Sequence, residues 1–442
     1  MTTHATGGGD PSNYPPRGYA WYMVVLLTVA YIFSFIDRYI VSLVIEPLKA
    51  DLALSDTQIG LLMGTAFALF FGIMGLPLGW LADRRRRTWI VGTGVALWSL
   101  ATVVSGLARS YTHLFLARIG VGVGEATLGP CALSMIGDSF PENERGRPIA
   151  FYTAAQSLGA GLAFVAGASV LNWANSIPDL ALPLLGPIKP WQFTFIVVGL
   201  PGLLVAIPLW FLREPLRHER ADLDEQKSMR DTLAYVRKRW KTFGCFIAIP
   251  CVMTIVAFSQ TWFPVLFMRT WGWEITTFAW YFGIALLTLG PVTVNVTGWI
   301  CDRWYAAGRH DAAMRIILIG GFLLVPTGAL VPLMPTGEAA FALLLLNLVG
   351  QALISAAAPI ALLNISPGQI RGQMSAIFYM IVTPVGLIIG PAIIGILNDS
   401  VFGEAGIRYS AAVVPLLFGI PVLAFAGMAG RLYRSEYAQR HA

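Results

Sequence analysis

The chain has 442 residues, of which 56% are hydrophobic and only 54 carry a formal charge (30 Lys and Arg, 24 Asp and Glu). A charged share of 12%, about half that of a soluble domain, with a mean hydropathy of +0.67, excludes a soluble enzyme, a disordered scaffold and a disulfide-stapled secreted module. The net charge of +6 does not point to nucleic acid, because Lys and Arg are confined to short connections between long apolar runs, as in a membrane protein. Cys131, Cys245, Cys251 and Cys301 lie in or at the ends of such runs and match no Cys-x-x-Cys pattern, so they read as small core residues, and no metal or cofactor is expected.

Residues 1–18 are too polar for a signal peptide and read as a cytoplasmic tail. A spanning helix needs about 20 mostly apolar residues. The first such run, 19–46, is interrupted by charge near its middle; 57–82 and 88–108 are charge-free; 111–137 is interrupted again; 148–178 and 190–212 are charge-free. A charged linker, 213–241, follows, and beyond it come 242–268, 275–301, 316–337, 339–370, 372–398 and 409–430. Twelve transmembrane helices are therefore predicted, in an all-α polytopic fold of two six-helix bundles (19–212 and 242–432) with a second short tail at 433–442. The linker reads either as an amphipathic helix on the cytoplasmic face or as a solvated connector.

With the N-terminus inside, 23 of the 30 basic residues fall in cytoplasmic connections, five fall outside and two lie within the membrane. Both termini are thus expected in the cytoplasm. The compact loops fit a bacterial inner membrane, although Asn398-Asp-Ser400 would be a glycosylation sequon in a eukaryote.

The second span ends in Gly79-Trp-Leu-Ala-Asp83-Arg84-Arg-Arg-Arg87 and the eighth in Gly298-Trp-Ile-Cys-Asp302-Arg303, with the aspartates 219 residues apart. A second pair, around Arg145-Gly146-Arg147 and Arg371-Gly372-Gln373, is offset by 226 residues. Two matches at nearly one offset argue for a duplicated six-helix unit, inserted as parallel repeats. Two such halves, each with a Gly-x-x-x-Asp-Arg loop, resemble the major facilitator superfamily over the whole chain. The first copy departs from the usual form, with Arg86 where glycine is expected and Thr88 where the last basic residue is. The resemblance implies a cytoplasmic gate at Gly79, Asp83, Arg84, Arg87, Asp302 and Arg303; a plain topology signal is the other reading of the arginine run.

Away from their ends the spans hold four charges: Asp37, Arg38, Arg118 and Glu125. Each costs about 3 kcal/mol at the bilayer centre unless paired or hydrated. Arg118 and Glu125 are seven residues apart, on one helix face, whereas Asp37 and Arg38 are adjacent and point about 100° apart, so one can pair while the other faces a cavity. The bland alternative is a pair of ion pairs pinning the first helix to the fourth. The chemistry offered is proton exchange with anion capture. Glu125 and Asp37 are the protonatable candidates, Glu125 the more central, with Arg118 and Arg38 as partners that also engage an anion.

The strings Phe35-Ile-Asp37-Arg38-Tyr39, Leu54-Ser-Asp56-Thr-Gln58-Ile-Gly60, Gly75-Leu-Pro77-Leu-Gly79 and Ala117-Arg118-Ile-Gly120-Val-Gly122-Val-Gly124-Glu125 resemble the Spinster branch of that superfamily. That resemblance implies a lysophospholipid or sphingolipid-like substrate, with Arg38 near its phosphate and Asp37, Arg118 and Glu125 in the coupling network. Further substrate-binding candidates are Tyr152 and Gln156 on span five, Asn347 and Gln351 on span ten, and Tyr379 on span eleven, each with interhelical hydrogen bonding as the alternative. The glycines 120, 122 and 124 sit inside a span and read as helix packing; no Walker-type phosphate loop occurs, which leaves secondary transport. The expectation is a proton-coupled carrier of an amphiphilic anion, monomeric in the bilayer. The alternatives are a small organic anion or sugar carrier on the same scaffold, and a receptor or scaffold that transports nothing. No catalytic constellation is present in any span.

Overall fold

The computed structural model describes residues 14–141, 144–177, 181–182, 186–217, 229–367 and 370–441. Among them are twelve helices long and apolar enough to cross a membrane. The first half holds spans 1–6: Arg17–Leu43, Asp56–Gly75, Arg87–Ser105, Tyr111–Ser139, Gly146–Ser176 and Pro190–Phe211. The second half holds spans 7–12: Trp240–Trp271, Ile275–Ala306, Ala312–Leu333, Gly337–Ile365, Gln373–Phe402 and Glu404–Ala424. A two-residue antiparallel hairpin, Ala181–Leu182 with Gly186–Pro187, precedes span 6.

The start of span 1 and the helix beyond span 12 lie on one face, called here the terminal face. Arg17 pairs with Glu144 of the 4–5 loop at 2.6 Å, the Arg213 amide after span 6 donates to the Tyr19 hydroxyl, and Arg239 before span 7 pairs with Glu436 beyond span 12 at 2.7 Å. Among its described residues, the linker expected either as an amphipathic helix or as a solvated connector holds a helix over Met229–Lys238 and ends in the first turn of span 7; residues 218–228 lie outside the described residues, as do residues 1–13 of the first tail. Over its described residues the expected second tail continues a helix, Ala426–His441, in which Tyr433 is buried and its hydroxyl donates to the Ala361 carbonyl of span 10.

The halves meet through small residues. A methyl group on Gly161 would lie 2.8 Å from the Gly283 carbonyl, and one on Gly283 would lie 2.8 Å from the Gly161 carbonyl, so spans 5 and 8 touch backbone to backbone. Span 2 closes on span 11 in the same way: a methyl on Gly60 would lie 2.6 Å from the Pro391 carbonyl, and one on Gly64 would overlap the Leu387 carbonyl. Absent lipid-driven hydrophobic pressure between helices, such close approach is what holds membrane helices together. Further along span 2 the seam parts. Gly72 has only the Pro384 ring, at 3.5 Å, while Gly75, Gly79 and Gly298 have nothing within 4 Å. The two halves are therefore closed at the far face and separated at the terminal face.

Charges complete the far closure. Asp56, fully buried at the start of span 2, accepts from Lys49, from Arg269 of span 7 at 2.8 Å and from Asn398 of span 11 at 2.7 Å. The Asp399 carboxylate accepts from the Asp56 and Thr57 amides at 3.2 and 2.7 Å, so a side chain of one half satisfies the open helix end of the other. Gly64→Ala should open the far face, since neither backbone can yield. The check is faster labelling of a cysteine placed at Ser42 by an impermeant thiol reagent from the far side, with Gly75→Ala unchanged.

Candidate functional site

Span 4 is broken in its middle. Its first helix ends at Glu125 and the next begins at Leu128, with the Thr127 amide and hydroxyl both donating to the Gly124 carbonyl. The glycines before the break admit neighbours that no side chain would: a methyl on Gly122 would strike the Phe67 carbonyl of span 2, and one on Gly124 would lie 2.7 Å from the Trp98 amide of span 3. This close packing, expected for the glycine run, carries Glu125 up to span 1.

There the ionisable residues converge. Arg38 donates from Nε and Nη2 to a single oxygen, Oε2 of Glu125, at 2.7 and 2.6 Å. Ser34, one turn before Arg38 on span 1, donates to the same oxygen at 2.6 Å. Glu125 is 2% exposed, and its other oxygen, Oε1, has no partner among the described residues. The Arg38 guanidinium is ringed by Phe35, Phe67 and Phe71 at 5.0, 4.7 and 5.1 Å, faces that attract a cation. The guanidinium is thus surrounded by three rings, with two of its bonds directed at one carboxylate oxygen.

Arg118 sits behind this pair, 1% exposed, and differs from the simple expectation of a second carboxylate pair. Its Nη1 donates at 3.0 Å to the main-chain carbonyl of Asp37, not to the carboxylate. Nε and Nη2 of Arg118 and Oδ1 of Asp37 are buried without partners among the described residues; Thr102 of span 3 lies against the Asp37 carboxyl. The alternative of two neutralising ion pairs therefore does not hold: one pair forms, and the other two charges keep unused hydrogen-bonding capacity.

Arg38 and Arg118 line a cleft between the halves, walled by Phe35, Met63 and Phe67 from the first half and by Phe258, Thr261 and Leu387 from the second. Tyr152 stacks on Tyr31 at 4.9 Å, with its hydroxyl buried and unpartnered among the described residues. Gln156 and Tyr379 are exposed and Gln351 half-buried, and Tyr379 stands within electrostatic reach of Tyr31 across the opening. Asn347 is different: fully buried, it donates to the Leu324 carbonyl and the Thr327 hydroxyl at 3.0 and 2.9 Å and accepts from Gln260 at 2.7 Å. Interhelical bonding, the alternative held open for this residue, consumes both of its amide hydrogens.

The residues of the expected gate are apart. Asp83, Arg84, Asp302 and Arg303 are exposed; Arg84 lies over Trp80 at 4.0 Å and Arg303 over Trp299 at 5.5 Å. Arg87 is buried within its own half, where it pairs with Asp138 and, at 2.7 Å, with Glu214. Arg217, just beyond, donates to the carbonyls of Ala82, Asp83 and Arg85 and so closes the end of the span 2 helix. The Arg371 side chain lies outside the described residues.

Sequence reasoning missed Ser34 and the Phe67 and Phe71 walls. A signal existed: Ser34 and Arg38, and Phe67 and Phe71, are each four residues apart, hence one above the other on a helix.

Comparison with known proteins places this geometry. The chain is 28% identical over 311 residues to a protein of Escherichia coli (strain K12) named as a probable L-galactonate transporter, covering 67% of this chain and 64% of that one. It is 24% identical over 315 residues to protein spinster of Drosophila melanogaster, covering 69% of this chain and about half (49%) of that one. Among solved structures it shares the fold of a bacterial homologue to the human lysosomal transporter Spinster, in an inward-facing and unoccupied conformation, with a TM-score of 0.80, 23% identity, and 96% and 98% of the two chains covered. With the family model matching residues 27–378 and twelve spans in two halves, the chain belongs to the Major Facilitator Superfamily, a family of multi-pass membrane transporters.

Proposed function

We propose that this protein is a proton-coupled transporter of an amphiphilic anion, a lysophospholipid or sphingolipid-like molecule, working by alternating access as a monomer. The observation that carries the reading is the Arg38–Glu125 pair, whose arginine lines an aromatic-walled cleft between the halves. An incoming anion competes with Glu125 for the Arg38 guanidinium. Once released, Glu125 is a carboxylate in a dry layer and takes up a proton, so cargo and proton are exchanged at one arginine. Asp37 and Arg118 belong to the same coupling network, and the unpartnered nitrogens of Arg118 offer a second anchor for the anion. Tyr152, Gln156, Gln351 and Tyr379 are assigned to the substrate path, and Asp83, Arg84, Asp302 and Arg303 to a gate that forms when the terminal face shuts. The excess of Lys and Arg in the connections on that face supports its assignment to the cytoplasm, of a bacterial inner membrane on this reading.

A sugar acid is the second reading, favoured by the relative named as a probable L-galactonate transporter. The experiment is flux into proteoliposomes of labelled lysophosphatidylglycerol against labelled galactonate, with and without an imposed pH gradient. Lysolipid flux that rises with the gradient supports the first reading; galactonate flux alone replaces the substrate class; no flux of either contradicts both.

A further inference from the structure

The duplicated architecture sets spans 7, 9 and 10 of the second half where spans 1, 3 and 4 stand in the first. Carried across the repeat, Asp37 meets Gln260, 223 residues later; Thr102 meets Thr327, 225 later; and Glu125 meets Asn347, 222 later. All three offsets fall between the 219 and 226 of the two loop motifs. The correspondents also form a cluster in space. Gln260 donates to Asn347 at 2.7 Å, and Asn347 donates to the Thr327 hydroxyl at 2.9 Å and to the Leu324 carbonyl at 3.0 Å. Where the first half holds carboxylates with unused oxygens, the second holds amides, and Asn347 is fully bonded.

The cluster lies on a break. Span 7 changes from α-helix to a 3₁₀ turn at Gln260–Trp262 and resumes at Phe263. Gln260 ties that turn to span 10, and Trp262 ties it to span 11 through its indole N–H and the Pro391 carbonyl at 3.0 Å. Phe258 and Thr261, on either side of Gln260, reach the cleft that Arg38 lines. A short 3₁₀ segment within a helix has poorer hydrogen bonds than its surroundings and needs outside support.

We infer that Gln260, Thr327 and Asn347 are the uncharged counterpart of the first half's ionisable cluster, and that they act as positioning residues, fixing the span 7 break so that Phe258 and Thr261 form a wall of the cleft that does not respond to protons. The hydrogen-bond partners of Asn347, namely Gln260, Leu324 and Thr327, include no titratable group. One half of the cleft changes charge and the other keeps its shape. This assignment does not depend on which anion is carried.

The test needs no substrate, so its failure and a failed flux assay are separate results. Thr261→Cys is made in a protein with the four native cysteines replaced by serine, reconstituted in liposomes, and labelled with a water-soluble maleimide. All rates are taken relative to this parent at the same pH, which cancels the thiol's own ionisation. Asn347→Leu should change the rate about fivefold at every pH, the equivalent of one lost hydrogen bond. Asn347→Asp tests the sign: a protonated acid donates to the Leu324 carbonyl as the amide does, whereas a carboxylate repels it. The ratio should therefore stay near one at about pH 5.5 and depart from it by about pH 8. If Asn347→Leu does not fold, Gln260→Leu removes the same brace from its other end. Parental rates in Asn347→Leu or Gln260→Leu, or a pH-independent Asn347→Asp, would each overturn the inference.

Discussion

Replacing Arg38 with lysine is expected to lower flux by about tenfold or more, although the positive charge is kept. Arg38 places two nitrogens on one oxygen of Glu125, at 2.7 and 2.6 Å, while its guanidinium carbon lies 5.0, 4.7 and 5.1 Å from the centres of three phenylalanine rings. An ammonium offers no plane to those rings and can reach the carboxylate with one bond, so both the resting pair and the bidentate hold on an anion are weakened. Arg38→Ala should do worse, because the guanidinium that Glu125 and the anion share is gone, and Glu125, left with Ser34, stays protonated whether or not cargo is bound. Exchanging the two residues should not rescue transport. The aromatic faces suit a cation on span 1, and a carboxylate there would meet their negative faces. Initial rates in proteoliposomes, normalised to reconstituted protein, check all three variants.

The second large effect belongs to the far face. Asp56→Ala should release that closure and shift the protein toward a state open on the opposite side. Asp56 is fully buried and gathers Lys49, Arg269 and Asn398. Its removal leaves Lys49 with Glu404, and Arg269 with Glu46 and Glu404. Losing even one charge-assisted hydrogen bond of this cluster costs about 1.5–3 kcal/mol, enough to move a conformational equilibrium by about tenfold or more. Arg269→Leu should act in the same direction. Asp399→Asn should act more weakly, since its single amide oxygen still accepts from one of the two backbone amides, of Asp56 and Thr57, that the carboxylate satisfies with separate oxygens. Distances between spin labels on the two halves at the far face should lengthen in Asp56→Ala and Arg269→Leu. Unchanged distances would mean that glycine packing alone holds the closure.

How far the sequence reached depends on what kind of signal each feature leaves. Twelve spans follow from length and from the absence of charge, which the bilayer imposes on every helix alike. The four intramembrane charges were legible for the same reason, since each is costly enough to stand out against an apolar run. Their pairing was not. Seven-residue spacing puts Arg118 and Glu125 on one face, but whether a guanidinium takes a neighbour's carboxylate or its carbonyl depends on the distance between helices, which spacing within one helix does not give. Phe67 and Phe71 passed unnoticed because an aromatic residue in an apolar run looks the same whether it faces lipid or an arginine. Asn347 had the right helix and depth for a cavity residue, yet Gln260 and Thr327 claimed it. Lys49 and Arg269 counted only as basic residues outside the membrane, because their partner Asp56 is distant in sequence from Arg269 and its burial is visible only in three dimensions.

Competition between proton and cargo for the Arg38–Glu125 pair is tested most directly by the pH dependence of lysophosphatidylglycerol uptake in Glu125→Gln set beside the unaltered protein, across about pH 5 to 8. Uptake by the unaltered protein should respond to pH and to an imposed gradient. In Glu125→Gln, which cannot take up a proton there, residual uptake should be insensitive to both. A Glu125→Gln protein that still couples uptake to the gradient would contradict the assignment and move the proton to Asp37 or elsewhere.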